Sequence, residues 1–128
     1  MLAVLAVVGQ LYGLYRVTGP PTPLWFPQAD KLEHALGFAL PAALVLLALD
    51  VGSRARHPRG DGLPRAAVVG VAAVFAAHAV VSELVQHAFY AHRTGDPLDV
   101  LADWTGTAVG LGFALGTRRR PVPQVRLR

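Results

Sequence analysis

Lys31, His34, Glu83, Gln86, Arg93, Asp99 and Asp103 are the side chains in this sequence best suited to chemistry, and their spacing decides which chemistry. Glu83, Gln86 and His87 fall at i, i+3 and i+4, so a helix carries them on one face. Asp99 and Asp103 are four apart and share a face for the same reason. Lys31, His34 and Arg93 supply donors, and Glu83, Asp99 and Asp103 supply acceptors. Ionisable groups bordering apolar sequence cost several kcal/mol unless paired, hydrated or neutralised. The two sets therefore read as one polar cluster in which the charges nearly balance.

Three uses of such a cluster are open. Lys31, His34 and Arg93 can hold an anionic head group through charge-assisted hydrogen bonds, with Glu83, Gln86, Asp99 and Asp103 orienting them. Alternatively His34 or Glu83 acts as general base on a lipid-linked ester or phosphate, with Lys31 and Arg93 stabilising developing negative charge. In the third use the cluster only fixes helix packing. Recognition leads, and enzymatic activity is not assigned: no phosphate loop, GxSxG elbow or familiar triad order is present. His34, His87, Glu83, Asp99 and Asp103 offer donors to a hard or borderline cation, yet no HExxH or equivalent spacing accompanies them. No metal and no cofactor are assigned.

The elements that position these residues are apolar all round. Of the 128 residues 53% are hydrophobic and 16% charged, too few polar positions to give every helix of a small soluble domain a wet face. Ala35–Leu49 has no charged or amide side chain, and Ala66–Val81 is interrupted only by His78. Four spans follow: Leu2 to about Val17, Lys31 to about Leu49, Arg65 to about Ala88 and Leu98 to about Gly116. The first has no basic leader and no small-residue cleavage pattern, so it reads as a retained helix. "TGPPTPLWFPQAD" reads as a non-helical segment with Trp25 and Phe26 at headgroup level, and residues 50–65 as a basic loop. Residues 118–128 read as a disordered basic tail, with Arg118–Arg120 as a topological anchor.

Charge sets the orientation. With four spans, nine of the 12 Lys and Arg residues lie with the termini and the 50–65 loop, so both ends are expected in the cytoplasm. The polar cluster then falls on the outer side. Basic residues clustered between and after apolar runs argue against nucleic acid as a partner. The absence of cysteine excludes disulfides and thiolate metal sites. Extending the Asp99–Asp103 stripe inward gives Gly106 and Gly110, small residues that let this helix approach a neighbour within one bundle. His78, five residues from Glu83, is turned about 140° away from its face and is expected to bond elsewhere.

"DKLEHALGFAL", "SELVQ" and "RTGDPLDVLADWTGTAVG", in that order from Asp30 to Gly116, resemble the VanZ-like family, named for a teicoplanin-resistance protein. The family pattern falls on Asp30, Lys31, His34 and Phe38, then on Glu83 and Gln86, then on Arg93, Asp96, Asp99, Gly106 and Gly110. Asp103 departs from it, standing where many members have Asn and making the cluster more acidic. The resemblance implies a multi-pass protein of the bacterial inner membrane and cell envelope, in some members linked to reduced glycopeptide susceptibility. The expected architecture is all-α, a four-helix membrane domain over residues 1–117, whose partner is a membrane lipid or a lipid-linked envelope precursor.

Overall fold

A computed structural model describes residues 1–15, 28–57, 62–90 and 96–118. Among the described residues there are four helices and no strand: α1 (Leu2–Tyr15), α2 (Ala29–Arg56), α3 (Arg65–Phe89) and α4 (Pro97–Thr117). The expected aromatic segment around Trp25 and Phe26, and the tail beyond Arg118, lie outside the described residues.

Local chemistry explains where the helices begin. Asp96 caps α4, its Oδ1 accepting from the Leu98 amide at 2.9 Å, and Pro97 follows at the first helical position, where a missing N–H costs nothing. α2 continues past the expected end near Leu49 to Arg56, a correction to the loop drawn from residue 50. The cause is Asp50, whose Oδ2 accepts from Arg54 Nε one turn later at 2.9 Å. Arg54 and Arg56 also place positive charge in the last turn, where the helix dipole favours it. Pro41 lies inside α2 and lacks the N–H that would bond the Gly37 carbonyl, which weakens the helix there.

α2 touches each of the other three helices and packs most extensively on α4. A Cβ at Gly106 would overlap the carbonyl oxygen of Ala35, and one at Gly110 that of Ala39. The glycines therefore let two backbones meet directly, as the small-residue stripe predicts. Beyond that seam the core consists of Phe38, Ala42, Ala43 and Leu46 of α2, Val71, Phe75 and Ala79 of α3, Leu111 and Ala114 of α4, and Leu14 of α1. Phe38 meets Phe75 edge to face, with centroids 6.2 Å apart.

The distribution of polarity is inverted relative to a water-soluble bundle. Leu36, Val74 and Phe113 point outward at 60%, 67% and 64% exposure, whereas Ser82 and Asp103 are fully buried. α2 and α3 are long and apolar enough to cross a membrane.

Candidate functional site

The polar residues converge at one end of the bundle, where the start of α2, the end of α3 and the start of α4 meet. Lys31 is the hub. Its Nζ donates to Asp96 Oδ2 at 2.6 Å, to Asp99 Oδ1 at 2.6 Å and to its neighbour Asp30 Oδ2 at 3.0 Å. An ammonium has three N–H donors, and carboxylates occupy all of them. The Lys31 hydrogen bond holds the Asp96 carboxyl below the ordinary carboxylate range.

One turn deeper, His34 Nδ1 lies 3.0 Å from Asp103 Oδ1 and His34 Nε2 lies 3.9 Å from Asp99 Oδ2. Glu83 arrives from α3, its Oε2 accepting the Asp96 amide at 3.0 Å. This bond ties α3 to the first residue of the α4 cap. Glu83 is 6% exposed and Asp103 0%; Glu83 Oε1 and Asp103 Oδ2 have no hydrogen-bond partner among the described residues. Both residues sit six positions inside their helix ends, a depth of about 9 Å.

Of the residues singled out from sequence, Lys31, His34, Glu83, Asp99 and Asp103 come together in this way. Gln86 does not join them. It is buried on the same side of α3 as Glu83, but its Nε2 donates to the Leu14 carbonyl at 3.4 Å, tying α3 to α1. His87 is exposed. Arg93 lies outside the described residues. His78 bonds elsewhere, as its rotation requires: its Nε2 is 3.2 Å from the Tyr15 hydroxyl, and its ring lies against Phe38. Among the described residues the charges do not balance: Asp30, Glu83, Asp96, Asp99 and Asp103 stand against Lys31, with His34 the one further basic group in contact.

Two grooves flank this centre. One, of about 450 Å³, lies between α1 and α2, with apolar walls that include Leu5, Leu14 and Phe38. Glu33, His34 and Gln10 contribute its polar lining. The other, of about 580 Å³, lies between α3 and α4 and reaches Glu83 and Asp96 past His87 and Trp104. Comparison with protein-family models, curated proteins and solved structures finds no match. The site therefore has to be read from its own chemistry.

Three participants were not assigned to the cluster from sequence. Asp96 and Asp30 complete the Lys31 hub, and the Asp-Pro pair that opens α4 was the available signal for Asp96. Gln10 is buried in α1 with Nε2 lacking a hydrogen-bond partner among the described residues, and a lone amide in an apolar run was the trace of it. At the opposite end of the bundle, Asp50 forms a second buried centre. Besides Arg54 it accepts the Leu63 amide at 3.2 Å, and Arg118 Nε lies 3.8 Å away.

Proposed function

We propose that the chain is a multi-pass protein of the bacterial cytoplasmic membrane, of the VanZ-like kind, with four spans and both termini inside the cell. The apolar exterior and the buried polar centre support this reading, because lipid solvates the first and the polar groups of the second find their hydrogen-bond partners on neighbouring helices. α4, at 21 residues, is about 31 Å long and matches a bilayer core. α1, at 14 residues, reaches about 21 Å, a mismatch met by local thinning of the bilayer.

In this reading the outer end recognises the anionic head group of a lipid or a lipid-linked cell-wall precursor. The observation that carries it is the α1–α2 groove: apolar walls with His34, Glu33 and the Gln10 amide, whose Nε2 has no hydrogen-bond partner among the described residues, in the same lining. N–H donors set in an apolar slot suit a phosphate or carboxylate attached to a long hydrocarbon chain. Lys31, saturated by carboxylates, positions the site. The link to teicoplanin-type susceptibility rests on the family resemblance.

Native mass spectrometry of detergent-purified protein tests the recognition role. A co-purifying anionic lipid that is lost on combined Gln10→Ala and His34→Ala substitution, and kept on His57→Ala, supports it; retention in the double variant refutes it. Topology is tested by single cysteines in a chain that has none. An impermeant maleimide added to intact cells should label Leu98→Cys and spare His57→Cys; the reverse pattern excludes the orientation.

A second reading, a membrane-embedded enzyme, draws on the His34–Asp103 contact, since an imidazole oriented by a buried carboxylate is the arrangement of a general base. Turnover of a lipid ester or phosphate, abolished by His34→Gln or Glu83→Gln, would promote it. A purely structural cluster would instead leave bound lipid and phenotype intact while these variants lose thermal stability.

A further inference from the structure

We infer that His34, Glu83 and Asp103 form a binding site for one divalent first-row cation, Zn²⁺ or Mn²⁺. Each residue comes from a different helix, and one ligand atom from each lies within 4.8 Å of the others. Two metal–ligand bonds of ~2.0–2.2 Å put donors at most about 4.4 Å apart, so small side-chain rotations complete the geometry. The burial of this group sets it apart from an ordinary acidic surface patch.

The strongest indication is the pair of carboxylate oxygens. Glu83 Oε1 and Asp103 Oδ2 are buried with no hydrogen-bond partner among the described residues, and their carboxylates converge on the same imidazole. A buried carboxylate needs a counter-charge or a full set of donors. Lys31 cannot provide either, because its three donors are committed to Asp30, Asp96 and Asp99. Asp99 adds negative charge at the rim, with Oδ2 3.9 Å from His34 Nε2. A dication balances the Glu83 and Asp103 carboxylates together, where a single imidazolium would balance only one of them.

The donor set selects the class of ion. One imidazole with two carboxylates is borderline to hard, which suits Zn²⁺ or Mn²⁺ and is poorly matched to Cu⁺, whose preferred sulfur donors the chain does not place here. Three protein ligands leave at least one coordination position open. His34 also lines the α1–α2 groove and Glu83 the α3–α4 groove, so an exchangeable ligand has access from either side. The 3.0 Å contact between His34 Nδ1 and Asp103 Oδ1 is the hydrogen bond that a cation entering between them would replace. Nothing in this site depends on a head group occupying the groove.

The test uses the full chain in detergent, stripped with a chelator and titrated calorimetrically with ZnCl₂ and MnCl₂, with Co²⁺ as a spectroscopic probe. One equivalent should bind to the wild type. Asp103→Asn, His34→Gln and Glu83→Gln should each weaken binding at least about tenfold. His87→Gln, whose exposed imidazole lies outside the three, should bind as the wild type does. Absence of one-to-one binding by the stripped wild type overturns the site, as does undiminished binding by folded Asp103→Asn protein. Should the variants fail to fold, the wild-type Co²⁺ spectrum decides: visible bands of nitrogen–oxygen coordination support the site, and the spectrum of the free aqua ion refutes it.

Discussion

The carbonyl oxygen of Ala35 occupies the space that a side chain on Gly106 would need, and Ala39 stands in the same relation to Gly110. Backbone therefore lies against backbone along the α2–α4 seam, and this close approach sets the distance across which Lys31 and His34 meet Asp99 and Asp103.

Gly106→Ala should lower stability by about 3 kcal/mol, because the neighbour it strikes is main chain and cannot rotate aside. Gly112→Ala, with open space around the added methyl, should be neutral or stabilising by up to about 1 kcal/mol through helix propensity. Thermal or denaturant unfolding in detergent separates the two. Equal effects would mean that the seam is not close-packed.

Lys31→Met removes the donor shared by three carboxylates and should destabilise the protein by about 2 kcal/mol. Adding Asp99→Asn removes the most buried of the charges left without a partner, so the double variant should recover part of the loss. A double-mutant cycle on unfolding midpoints measures the coupling. Additive losses would show that Lys31 and Asp99 do not act as a pair.

Asp50→Ala should cost about 2 kcal/mol, since the Arg54 side chain and the Leu63 amide lose the carboxylate that both use. Arg54→Ala should cost less, about 1 kcal/mol, because Leu63 keeps its acceptor. Hydrogen exchange should show faster opening of residues 50–56 in both variants. Unchanged protection there would detach the extension of α2 from Asp50.

Helical periodicity and apolar runs suffice to find the four helices, and the ends of α3 and α4 fall within one residue of the sequence boundaries. The Gly106–Gly110 stripe and the turn of His78 away from Glu83 are equally legible, because both follow from 3.6 residues per turn. What periodicity cannot reach is the choice of partner across a bundle. Gln86 shares a face with Glu83, yet its amide extends to Leu14 of α1, a contact fixed by how α1 docks. Asp50 looks like the first residue of a basic loop until Leu63 is brought back to it. The carboxylate that Asp96 adds to Lys31 is hidden for the same reason, since it arrives only once α4 is in place.

The 65-residue interval between Lys31 and Asp96 also has a temporal meaning. At translation rates of about 5–20 residues per second, Lys31 is made roughly 3–13 s before that acceptor. During this wait, in a bilayer, Lys31 has Asp30 beside it but lacks Asp96 and Asp99, and its long side chain holds the charge at the lipid surface. Arrival of the last helix releases it from there, making the closing step of biogenesis the one that draws Lys31 inward.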